Sequence, residues 1–188
     1  FVTMNKEKMS KSLQNITTIE DAINKYSGQV VRLSLLSAQY KQPLDWNKEL
    51  LLEQSKTLDK WYSMYSSEVS EKVPDCFQDL LDDMNTPLYI SKLHELFQQS
   101  QNGNSDKKKE FNKACRIIGL FSESIAERII FKKSKVKISE KFILDRITDR
   151  EQAKKNGNYK LADQIRNELN KEGINIKDEK GKTTWSYK

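Results

Sequence analysis

A chain of 188 residues can bury the core of one ordinary domain or of two small ones. With 36% hydrophobic and 32% charged residues, a net charge of +6, and only 6 Gly and 3 Pro, it lacks the turn residues of sheet-rich folds, so a soluble, mainly α protein is expected. No run approaches the roughly 18 apolar residues of a membrane span. The opening Phe1-Val2-Thr3-Met4 has no signal-peptide pattern, and two cysteines with one histidine are too few for a tetrahedral site of thiolates and imidazoles.

Residues 1–16 read as a strand with apolar Phe1, Val2 and Met4, followed by a polar loop. Helical signals begin at Thr17, which with Glu20 forms the expected capping box, and Gly28 separates two short helices. After Pro43 the spacing of Leu51, Leu58, Trp61, Tyr62 and Tyr65 predicts one long helix over 46–72. Pro74 opens a short helix through Leu81. In Asn85-Thr86-Pro87, Thr86 is the expected N-cap of a helix to about Ser100. Two further helices, one with Phe111, Cys115 and Ile118 and one with Ile125, Ile129 and Ile130, complete a helical bundle over 17–131. Cys76 and Cys115 are expected as buried reduced thiols, and His94 as a partly exposed structural residue.

The basic run Lys132-Lys133-Ser134-Lys135-Val136-Lys137 reads as a linker over 132–138. A second unit over 139–188 is predicted as a helical hairpin, with its turn at Asn156-Gly157-Asn158 and a stop at Gly173, carrying a small β-hairpin around Gly181. From Lys132 onward there are 16 Lys and Arg against 9 Asp and Glu, so the positive excess belongs to this unit. Such a module attracts a polyanion, because each neutralised phosphate releases counterions. A solvated lysine-rich face is the alternative. Trp185 and Tyr187 alternate on the last strand, and Trp185 is expected to pack across the hairpin onto Ile165 or Leu169.

Lys8-Met9-Ser10-Lys11-Ser12 places two ammonium groups three residues apart with hydroxyls between them, an arrangement suited to phosphates on which negative charge builds. The pentapeptide resembles the KMSKS signature of class I aminoacyl-tRNA synthetases. The continuation resembles the cysteine-specific family: Ser12-Leu13-Gln14-Asn15, Thr18-Ile19, Tyr26, Leu35-Leu36-Ser37-Ala38, Tyr40, Pro43-Leu44 and Asp82-Asp83-Met84-Asn85-Thr86-Pro87. The family more often has Gly at Gln14 and His at Gln39. On physical grounds the acidic pair at 82–83 reads as support for the following helix start. Ala153-Lys154-Lys155, Tyr159, Leu161-Ala162-Asp163, Ile165-Arg166, Leu169, Gly173-Ile174, Asp178 and Thr183-Thr184-Trp185 resemble that family's anticodon-binding domain.

The resemblance implies an ATP-dependent cysteine–tRNA ligase, with tRNA(Cys), ATP and cysteine as its partners. Lys8, Met9, Ser10, Lys11 and Ser12 form its ATP loop, Lys11 foremost. Residues 17–131 become a stem-contact and DALR-like bundle. Tyr159 would stack on the first anticodon base, Asp163 and Asp178 would accept from base amino groups, and Lys154 would meet a phosphate or base edge; the family commonly has Trp and Arg where this chain has Tyr159 and Lys154. Read from the residues alone, Asp163 is equally a surface residue paired with Arg166. The family's nucleotide-binding parallel sheet is absent here, as are the ligands of the zinc that holds the substrate thiolate, so ATP with Mg and zinc belong to the intact enzyme. The chain is expected to be a fragment, inactive alone, of a cytoplasmic monomer. A non-catalytic RNA-binding module of synthetase ancestry is the alternative.

Overall fold

In the computed structural model, which describes residues 2–10, 12–13, 15–179 and 182–188, β1 (Val2–Met4) turns through Asn5 and Lys6 into β2 (Glu7–Lys8). Both turn residues have left-handed φ, 50° and 68°, the geometry that closes a two-residue hairpin with the strands' own twist. The helices α1 (Ile19–Lys25) and α2 (Gly28–Leu36) follow. The capping box lies one residue later than the sequence implied: Thr18 accepts from the Asp21 amide at 3.0 Å, and Asp21 returns the bond.

The long helix expected over 46–72 is shorter at both ends. Leu44–Trp46 is a strand, β3, parallel to β1, and the sheet order is β2-β1-β3. Helix α3 (Lys48–Tyr62) starts only after Asn47, whose side chain accepts from the Leu50 amide at 2.8 Å. At the other end the fully buried Asn112 captures the chain: its Nδ2 donates to the Met64 carbonyl and its Oδ1 accepts from the Ser66 amide, both at 2.8 Å. Asn112→Ala should therefore lower the unfolding free energy by about 1–3 kcal/mol, because it orphans buried backbone groups. Urea unfolding is the check, and a loss below about 0.5 kcal/mol would show that water replaces the amide.

Helices α4 (Phe77–Leu81), α5 (Thr86–Ser100) and α6 (Ser105–Ile117) complete the unit that ends at Ser124. Asn85, not Thr86, caps α5, accepting from the Leu88 amide at 3.2 Å. The core of this unit is a set of rings meeting edge to face, Trp61 on Phe111 (5.8 Å), Phe111 on Phe121 (5.8 Å) and Phe121 on Tyr62 (4.7 Å). Phe121 holds a left-handed φ of 58°, and its amide donates to the buried Gln29 Oε1 at 2.7 Å.

The second unit runs from Ile125 to Lys188, so the division falls ahead of the expected 132–138 linker. Helix α7 (Ile125–Ser134) extends into that basic run, while Val136 and Ile138 pack on this unit's core. Counting lysines hid the two apolar residues that tie the run down. Helices α8 (Glu140–Lys155) and α9 (Tyr159–Lys171) start at the caps Ser139 and Asn158. Strands β4 (Ile174–Glu179) and β5 (Lys182–Tyr187) pair antiparallel, Ile174 opposite Tyr187 and Asp178 opposite Thr183. Ile143, Ile147, Ile165, Leu169, Ile174 and Ile176 form the core, with Trp185 and Tyr187 packed on it. A mainly α chain with a small β-hairpin results. Among the described residues no helix is long and apolar enough to cross a membrane.

Candidate functional site

In the first unit, the β1–β2 hairpin delivers the Lys8–Ser12 segment. Asp45 pins it from β3, accepting from the Lys6 amide at 2.6 Å and the Thr3 hydroxyl at 2.9 Å, while Asn47 donates to its other oxygen at 3.0 Å. The Lys6 amide first, then Asn47, hold the Asp45 carboxyl below the usual carboxylate range. Lys8 ends β2 with its side chain exposed, whereas Met9 packs on the core. Asn15 closes the loop from the far side: it accepts from the Ser10 amide at 2.8 Å and donates to the Lys8 carbonyl at 3.3 Å. The hydroxyls of Ser10 and Ser12 lie 3.2 Å apart, and the Leu13 amide donates to Ser10 Oγ at 3.3 Å. Lys11 lies outside the described residues.

Asp83 of the acidic pair makes a tie that its sequence position did not show. Asp83 and the following Met84 both have left-handed φ, 51° and 53°. The Asp83 carboxylate accepts from Lys41 Nζ at 2.6 Å, the Tyr40 hydroxyl at 2.8 Å and Gln39 Nε2 at 3.3 Å. The Lys41 bond holds its pKa below the ordinary value. It ties the 39–41 loop to the start of α5.

Cys76 and Cys115 are free and buried, and desolvation pushes both thiols up. The His94 ring meets Trp61 edge-on at 5.0 Å, and desolvation lowers its pKa. Among the described residues no three His, Cys, Asp or Glu side chains could hold a metal together, so these residues do not fit the implied zinc.

The second unit carries the other candidates at the end of α8, in the first turns of α9 and at the end of β4, with α8 and β4 joined through Asp178. Tyr159, in the first turn of α9, is 66% exposed, and Asp163 stands one turn on, on the same face. Among the described residues Asp163 has no hydrogen bond or ion pair, and Arg166 is not its partner. Asp178 is the most engaged: Arg150 Nη1 donates to Oδ1 at 3.0 Å and Nη2 to Oδ2 at 2.9 Å, Lys154 Nζ to Oδ2 at 2.8 Å and the Thr183 hydroxyl to Oδ1 at 3.1 Å. Arg150 foremost, then Lys154, hold the carboxyl far below the usual range. Asp163 lies close enough to act on Arg150 electrostatically. Reading the sequence missed Arg150 and gave Thr183 no role at the site. The available signal was the four-residue spacing of Arg150 and Lys154, which puts both on one face of α8.

Residues 1–57 match the family described as tRNA synthetases class I (C) catalytic domain, and residues 147–185 match the cysteinyl-tRNA ligase anticodon binding domain. Over the whole length, the chain is 45% identical to a cysteine–tRNA ligase of Pelagibacter ubique, covering 100% of this chain and 42% of that protein. The chain belongs to the cysteinyl-tRNA ligase family. Cysteine–tRNA ligases of Rickettsia bellii and Xanthobacter autotrophicus are 39% and 36% identical, each over 98% of this chain and 42% of the relative. The chain thus spans about two fifths of the length of the curated relatives it matches. The catalytic-domain match runs from the strand before Lys8 into α3, and the anticodon-domain match encloses Arg150, Lys154, Tyr159, Asp163, Asp178 and Thr183.

Proposed function

We propose that this chain supplies the ATP loop and the tRNA-recognising part of a ligase that joins cysteine to tRNA(Cys) with ATP. The observation that carries the reading is that an exposed ring, Tyr159, a carboxylate with no hydrogen bond among the described residues, Asp163, and the Lys154–Asp178 pair all lie inside the segment that matches the anticodon-binding family. Sequence-specific RNA recognition uses such parts: aromatic faces stack on unstacked loop bases and carboxylates accept from base amino groups. The net positive charge of this unit supplies attraction without sequence preference. Lys8, and Lys11 with it, would meet the ATP phosphates, with Mg accompanying the nucleotide. Zinc would sit on residues outside these 188. Free, buried thiols suit the reducing cytoplasm.

Binding of the 188-residue chain to an anticodon stem–loop carrying GCA tests this. Tyr159→Ala should weaken it about 10- to 100-fold, the worth of one stacked base, while Tyr159→Trp retains or strengthens binding. Equal binding to any RNA, suppressed by salt and indifferent to Tyr159, would leave only the charge and sink the reading.

A further inference from the structure

Arg150 keeps 2% of its surface, the least of any charged side chain among the described residues. It is committed to one oxygen pair, that of Asp178, which also receives Lys154 and Thr183. A carboxylate offers about four lone-pair positions, and these four donors fill them. A base amino group can therefore bind Asp178 only by displacing a donor. Arg150 is the wrong one to leave, because its charge would stay buried and unpaired. Thr183 is held opposite Asp178 by the strand register. Lys154 has a side chain 35% exposed on a flexible stem, and its charge gains a phosphate when RNA arrives.

Resting on the anticodon reading proposed above, we infer that Arg150 is a positioning residue for base recognition: its two-pronged grip fixes the Asp178 carboxylate, and Lys154 is the exchangeable occupant of Oδ2. Without RNA the site is neutralised internally. With RNA the ammonium moves to a phosphate and Oδ2 turns to the exocyclic amino group of the base. Arg150 touches no RNA, and its effect passes through Asp178. The low Asp178 pKa agrees with a carboxylate that stays ionised through the exchange.

The test compares stem–loops that differ by one amino group, with guanosine or inosine at the first anticodon position, on the full 188-residue chain. The wild type should prefer guanosine by about tenfold or more. Arg150→Lys keeps the charge and loses the fork; the preference should fall to within about twofold of unity, while the salt dependence of binding stays as in the wild type. Lys154→Met should do the reverse, reducing affinity and lowering the salt slope by about 1 while keeping the preference. Thermal melting accompanies each variant, and Lys154→Met decides the matter if Arg150→Lys does not fold. A full guanosine preference in folded Arg150→Lys overturns the inference alone, as does loss of preference in Lys154→Met, since the ammonium would then orient the carboxylate. Absence of the preference in the wild type overturns Asp178 as the reader of the first anticodon base, and the inference as stated falls with it.

Discussion

Replacing Asp178 by alanine should lower the unfolding free energy of the second unit by about 3 kcal/mol at neutral pH. Removing one partner of a buried ion pair costs about 3–5 kcal/mol, because the other charge remains without compensation. Here Arg150 is that charge, at 2% exposure, whereas the Asp178 side chain is 42% exposed, so solvent screening places the effect at the low end. Lys154 and Thr183 lose their shared acceptor too, but both reach water. The sign with pH follows from the depressed carboxyl: its stabilisation is fully present above the unfolded-state value of about 3.9 and is lost as pH falls through the lower folded value. The difference between wild type and variant should therefore be flat from about pH 5 to 8 and shrink only below about pH 4. Amide exchange at Ile143, Ile165 and Leu169 reads this unit separately from the first. A difference below about 0.5 kcal/mol at pH 7 would mean that Arg150 finds water, against its burial.

The helical hairpin was legible because its punctuation is local: Ser139 and Asn158 cap the two helices, and Gly173, with φ 85°, ends the second. Strand β3 was not. Leu44-Asp45-Trp46 is three residues long and owes its conformation to pairing with Val2–Met4, 42 residues away in sequence, while its apolar residues also fit the helical spacing that follows. The end of α3 was hidden for the same reason. Tyr65 continues the helical spacing, but Asn112, 46 residues past Ser66, draws the backbone out of it. At the candidate sites, the sequence singled out carboxylates and did not show what fills them. Asp83 read as a helix-end charge and is a tie to Gln39, Tyr40 and Lys41. Asp178 read as an acceptor for base amino groups and has four donors within the chain, two of them on a buried arginine that composition alone places at the surface.

Lys8→Ala, in a cysteine–tRNA ligase of the relatives' full length that carries these residues, should slow cysteine-dependent pyrophosphate exchange by about 10²–10³-fold, the worth of one donor aimed at charge that develops in the transition state. Its position supports an effect on chemistry over one on folding. The side chain is exposed at the end of β2, so its loss should shift stability by no more than about 0.5 kcal/mol. The backbone beneath it is held from both sides, by Asp45 through the hairpin turn and by Asn15 through the Lys8 carbonyl. A charge carried on a held backbone is already placed near the phosphates when pyrophosphate begins to leave, so the loss should fall on kcat more than on the KM for ATP. Lys8→Arg restores the charge without the compact ammonium and should recover only part of the rate. Asp45→Ala leaves the charge but frees the hairpin, and its cost should be about tenfold, felt through misplacement alone. If Lys8→Ala raised KM and left kcat untouched, the lysine would hold ATP equally in ground and transition states, and the loop's part would be binding only.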